Sequence, residues 1–118
     1  MLTILLMRNS KINFKVIILA GGKGSRLGEI TKKIPKPLIQ VHKKEFINYL
    51  IEYFEKIGIN DFIITTSYKS NFFKRYIKKY KNKSSKFKII NEKKPLGTGG
   101  SLINAIKKEK LNLNIFFI

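Results

Sequence analysis

The sequence predicts an α/β fold built on a mainly parallel sheet. Short continuous apolar runs, of the kind that fit strands covered on both faces, alternate with segments whose apolar residues recur every three or four positions. The order is strand, helix, strand, helix, strand, helix, strand, which is the alternation of a parallel sheet with crossover helices. No repeat or linker interrupts it, and 118 residues are enough for one domain.

The first run, Val16–Ala20 within KVIILA, ends in glycine. Glu45–Ile57 carries Phe46, Ile47, Leu50, Ile51, Phe54 and Ile57 at helical spacing, and Gly58 follows as a natural stop. Asp61–Thr66 (DFIITT) is the second strand. Asn71–Tyr80 is the second helix, with Phe72, Phe73, Tyr76, Ile77 and Tyr80 on one side. Those aromatics interleave with lysines, but their spacing reads as core rather than as a stacking platform for single-stranded nucleic acid. KNKSSK (residues 81–86) is a polar loop, and FKIIN (Phe87–Asn91) is a third strand. EKKPLGTGGS then leads into a helix reaching about Lys108, with Leu102, Ile103 and Ile106 expected inward. NLNIFFI closes the chain as a fourth strand.

The formal charge of +18 resembles a nucleic-acid footprint, but its source argues otherwise. Lysine supplies 22 of the 25 basic residues, and isoleucine and asparagine are also abundant, as A/T-rich codons would produce. Such a field attracts anions without reading bases. Without cysteine there is no disulfide frame, thiolate nucleophile or Cys-based zinc site, which suits a reducing cytoplasm. His42, the one histidine, has no His or Cys partner near it in sequence and reads as a loop residue. The opening MLTILLMRNSKINF has too short an apolar run, and the wrong flanks, for a signal peptide or membrane helix. Residues 1–14 read as an N-terminal extension.

Residues 19–38, LAGGKGSRLGEITKKIPKPL, carry the chemistry. They contain no Gly-Lys-Ser/Thr, so they are not a P-loop. Leu27 stands where a dinucleotide fingerprint needs its third glycine. The backbone logic of such loops still holds: Gly21, Gly22 and Gly24 let N–H groups turn toward an anion. Arg26 offers a planar fork for phosphate, and Lys36 is held between Pro35 and Pro37, which limit the local backbone.

The arrangement GGxGSRL, seven residues, PKPL resembles the N-terminal motif of the sugar-phosphate nucleotidyltransferases. PLGTGGS (residues 95–101) resembles that family's second nucleotide-contacting segment, closest to its mannose-1-phosphate and heptose-1-phosphate guanylyltransferase branch. The resemblance implies a Rossmann-like three-layer sandwich, the N-terminal portion of a nucleotide-diphospho-sugar transferase fold. Residues 15–118 would be its nucleotide-binding part, truncated at the C-terminus. It also implies joining of a sugar 1-phosphate to a nucleoside triphosphate, GTP favoured, with release of pyrophosphate.

Carried over by position, Leu19, Ala20, Gly21 and Gly22 would border the nucleotide, with Gly24 and Ser25 at the phosphates. Arg26 and Lys36 would be the catalytic cations: Arg26 would stabilise the departing pyrophosphate, and Lys36 would contact the phosphates and offset charge in the transition state. Glu92, Gly97 and Thr98 would meet the base. These residue types match the chemistry, because phosphoryl transfer needs positioning and cations rather than a protein nucleophile. Tyr68 and Lys23 are weaker candidates for the same pocket.

The resemblance departs in two places. Lys44-Glu45-Phe46 replaces the family's usual Lys-Pro and apolar residue, although a glutamate also suits a first helical turn. The chain also ends at Ile118, before the family's Gly-Asp whose aspartate holds magnesium. Mg2+ is expected for a full-length member, with its aspartate ligands absent from this chain. No specific nucleic acid and no membrane is expected as a partner. A non-catalytic module binding nucleotide or polyanion is the alternative reading. The 118 residues alone are therefore expected to show negligible transferase activity; turnover of sugar phosphate and nucleoside triphosphate at ordinary enzyme rates would contradict this.

Overall fold

The computed structural model describes residues 3–8, 14–22, 33–67, 69–110 and 115–117. Among these residues seven strands and three long helices follow one another: β1 (Thr3–Arg8), β2 (Phe14–Leu19), β3 (Gln40–Val41), β4 (Lys44–Glu45), α1 (Phe46–Lys56), β5 (Asp61–Thr66), α2 (Ser70–Lys79), β6 (Lys86–Asn91), α3 (Gly97–Glu109) and β7 (Ile115–Phe117). A 3-10 turn spans Lys36–Leu38. The main sheet has the order β6-β5-β2-β1-β7.

β2, β5 and β6 run parallel, with Leu19 opposite Thr65 and Thr66 opposite Asn91. β2 is apolar without alternation because both its faces are covered. Val16, Ile18 and Ala20 face one side with Phe62 and Ile64 of β5; there they meet Ile47, Ile51 and Phe54 of α1, and Phe73 of α2. Ile17, Leu19 and Ile63 face the other side and pack with Ala105 of α3. Helices thus lie on both faces, giving the expected three-layer α/β sandwich.

Three features were not anticipated from sequence. Thr3–Arg8, within the stretch read as an extension, is a strand that pairs antiparallel with both β2 and β7. β3 and β4 form a small hairpin whose turn residues, His42 and Lys43, both have positive φ. That is the backbone of a tight hairpin turn without the Asn-Gly or Asp-Gly that normally announces it. The inward faces of two helices also shift. On α3, Leu102 and Ile106 pack against the core as expected, but Ile103 is 55% exposed, and Ser101 and Ala105 are the buried residues. On the first helix, Phe46 and Ile57 lie toward solvent, leaving Ile47, Ile51 and Phe54 as the packing residues.

Glu55 joins α1 to the chain between α2 and β6. Its Oε1 accepts the Tyr80 hydroxyl at 2.8 Å; its Oε2 accepts Asn82 Nδ2 at 2.8 Å and the Ser85 hydroxyl. Burial pushes the Tyr80 phenol well above its ordinary value, and the bond to Glu55 adds to the rise, so the phenol remains a donor. Among the described residues no helix is long and apolar enough to cross a membrane.

Glu55→Ala orphans the buried hydroxyls of Tyr80 and Ser85. It should cost about 1–3 kcal/mol in urea unfolding; a loss below about 0.5 kcal/mol would show that the cluster ties nothing.

Candidate nucleotide-binding site

The parallel arrangement brings three chain segments to one edge of the sheet, where open α/β folds place their ligands. The ladder continues past the strands: Ala20 N–H donates to Thr65 O at 2.9 Å, and Glu92 N–H donates to Thr66 O at 2.6 Å. The residues following β2 and β6 are therefore fixed by the end of β5. Between them lies a cavity of about 270 Å³, lined by Leu19, Gly21, Gly22, Glu92, Pro95, Leu96, Gly97, Thr98 and Ser101.

Six residues singled out in the sequence meet here: Leu19, Gly21, Gly22, Glu92, Gly97 and Thr98. Ala20 is buried in the core on the α1 side and does not line the cavity. Lys36 lies on the 3-10 turn, flanked by buried Pro35 and Pro37, and is likewise not part of the lining. Gly24, Ser25 and Arg26, with Lys23 and Tyr68, lie outside the described residues.

Glu92 is the chemical centre of the cavity. It is 3% exposed, its Oε1 accepts the Ser101 hydroxyl at 2.9 Å, and its Oε2 has no hydrogen-bond partner among the described residues. A buried acceptor left open costs stability unless something fills it, so this oxygen points to a donor-bearing ligand. On the opposite wall, Gly97 opens α3 at φ +72°, a conformation suited to glycine. The first turn of that helix has no acidic residue and no side-chain cap, which leaves its backbone N–H groups available.

Gly21 is glycine for a reason not foreseen in the sequence. A Cβ there would lie 2.9 Å from Glu92 Oε1 and 3.5 Å from Ser67 Oγ. The group pressing on this backbone is thus an acid from another strand. Ser67 further fixes the turn by donating its hydroxyl to Gly21 O. Ser67 and Ser101 were not singled out in the sequence. Ser101 could have been found from its place four residues after Gly97, one helical turn on.

A larger cavity of about 440 Å³ lies between α1 and α2, but its polar walls are bonded to one another. Glu52 takes Lys44 Nζ at 2.7 Å and Asn48 Nδ2 at 3.0 Å, and Tyr76 donates to Asn48. It is a structural network, while the smaller cavity holds the open acceptor. Among the described residues no three of His, Cys, Asp or Glu come together to hold a metal, so they do not fit magnesium and no step is derived through it.

Gly21→Ala should displace the Glu92 carboxyl and break its bond to Ser101. A loss of about 1–3 kcal/mol in chemical denaturation is expected, and an unchanged midpoint would mean that the carboxyl moves aside without cost.

Three comparisons bear on what this site does. The sequence matches the Nucleotidyl transferase family model over residues 15–118. It is 41% identical over 108 residues to the D-glycero-alpha-D-manno-heptose 1-phosphate guanylyltransferase of Campylobacter jejuni, covering 87% of this chain and 48% of that protein. It is 33% identical to the mannose-1-phosphate guanylyltransferase catalytic subunit beta of Xenopus tropicalis, covering 88% of this chain and 29% of the relative. The crystal structure of HddC from Yersinia pseudotuberculosis superposes with a TM-score of 0.67 at 41% identity, over 77% of this chain and 40% of that one. A second HddC structure, complexed with GMP-PN, superposes equally well, at 40% identity over 78% of this chain and 40% of that one. The chain thus spans about half, or less, of the length of the curated relatives it matches. The glycine turn after β2, the open acid after β6 and the GTGG helix start are therefore those of a chain that belongs to the nucleotidyl transferase family.

Proposed function

We propose that this chain carries the nucleotide-binding part of a sugar-1-phosphate guanylyltransferase. The reaction joins a sugar 1-phosphate to GTP: a phosphate oxygen of the sugar bonds to the α-phosphorus, the bond from that phosphorus to the bridging oxygen breaks, and pyrophosphate leaves. The observation that carries the reading is buried Glu92, which lines a cavity beside the GTGG helix start and whose Oε2 has no hydrogen-bond partner among the described residues. Guanine presents two N–H groups on its Watson–Crick edge, which suit such an acceptor, whereas adenine presents a lone pair at the corresponding ring nitrogen. The names of the relatives, and the GMP-PN complex of one of them, support the same base.

In this reading Leu19, Gly21 and Gly22 border the base and sugar of the nucleotide, and Gly97 and Thr98 approach the base through their backbone. Gly24 and Ser25 lie at the phosphates. Arg26 stabilises the departing pyrophosphate, and Lys36 offsets charge developing at the α-phosphate. These cations act by complementing charge that grows in the transition state, so no protein nucleophile is required.

Equilibrium binding of GTP, ATP, UTP and dTTP to the chain and two variants tests the proposal. The wild type should prefer GTP. Glu92→Gln should remove the preference, while Arg26→Ala should weaken every triphosphate about tenfold or more. Equal binding of all four nucleotides, or salt-sensitive binding to any DNA that Arg26→Ala leaves unchanged, would identify a polyanion binder instead.

A further inference from the structure

Glu92 and Ser101 both line the cavity, one directly after β6 and the other in the first turns of α3. Ser101 is 4% exposed, and its hydroxyl donates to Glu92 Oε1. Gly21 leaves room for the same oxygen on the side of β2, where a Cβ would come within 2.9 Å of it. One carboxyl oxygen is therefore held by Ser101, and the other has no hydrogen-bond partner among the described residues. A glutamate side chain has three rotatable bonds and loses appreciable freedom when fixed. Unrestrained, the carboxyl could take several orientations and would discriminate weakly.

We propose that Ser101 is a specificity-determining positioning residue: by binding Glu92 Oε1 it aims the single free oxygen, Oε2, at the Watson–Crick edge of the base and so sets the preference for guanine. The inference rests on the reading of Glu92 as the base-contacting group. It assigns Ser101 no contact with the nucleotide. Its effect passes through Glu92, because the hydroxyl is spent on the carboxyl and selection arises from where the remaining acceptor stands. Ser101 also sits on the buried face of α3 with Ala105, so an alanine there fits the helix and leaves the packing against Ile17 and Leu19 in place.

The test is a double-mutant cycle on the ratio of GTP to ATP affinity, measured by equilibrium binding to the chain, with Ser101→Ala, Glu92→Gln and the double variant. Ser101→Ala should lower the ratio by about three- to tenfold, the worth of one hydrogen bond, through a loss of GTP affinity that exceeds any loss of ATP affinity. On the Glu92→Gln background the same substitution should change the ratio by less than about twofold. A wild-type preference that Glu92→Gln removes and Ser101→Ala does not would overturn the positioning role alone. So would an equal loss of GTP and ATP affinity in Ser101→Ala, or the same loss on both backgrounds, since a merely structural serine would behave that way. No wild-type preference at all would instead overturn the guanine reading, and the role of Ser101 with it.

Discussion

Everything at the candidate site depends on the parallel pairing of β2 with β5 and of β5 with β6. β2 can occupy this central place because its residues are apolar on both faces, Val16 and Ile18 toward α1, Ile17 and Leu19 toward α3. Parallel pairing in turn brings the three carboxyl ends to a common edge, and the hydrogen bonds from Ala20 and Glu92 to the end of β5 hold the next residues in register. A glycine turn, an acid and a helix start, separated by some seventy residues of sequence, thereby become walls of one cavity. The core is the reason the polar groups meet.

The local charge there runs against the charge of the molecule. Seven acidic residues stand against 25 basic ones, yet the side chain buried in the cavity is a glutamate. Among the described residues its hydrogen-bond partner is a hydroxyl rather than a lysine: Ser101 donates to one oxygen. A carboxyl paired with a lysine would have had its acceptors spent. The abundance of lysine elsewhere therefore says little about this cavity, in keeping with a compositional rather than a selected origin for the charge.

Much of the architecture was legible because it follows from periodicity. Asp61–Thr66 is the strand its run of β-branched and aromatic residues indicates, and the aromatics of α2 face the core as their spacing requires. What escaped depends on partners distant in the chain. Thr3–Arg8 becomes recognisable as a strand only through its pairing with β2 and β7, and an apolar run near the start of a chain has several other readings. The β3–β4 hairpin uses His42 and Lys43 at positive φ, so its turn carries no sequence signal. In α3 Leu102 and Ile106 pack against the core as their spacing indicated, but the small residues Ser101 and Ala105 are the buried ones, and Ile103 is left outside. At the site, the motifs indicated Glu92, Gly97 and Thr98, while Ser101 acquires meaning only through its hydrogen bond to Glu92.

The contact between Gly21 and Glu92 also constrains how this sequence could have changed. A side chain at position 21 would meet the carboxyl held by Ser101, so the carboxyl must turn, or position 92 shrink, for position 21 to grow. The two sites follow different strands and are far apart in sequence, yet a Cβ at position 21 would come within 2.9 Å of Glu92 Oε1, which couples substitutions at the two positions. Growth at position 21 first would cross an intermediate with a displaced acid. A lineage that altered its base preference by replacing Glu92 would thus release a constraint on the glycine turn after β2, and the two motifs would drift together.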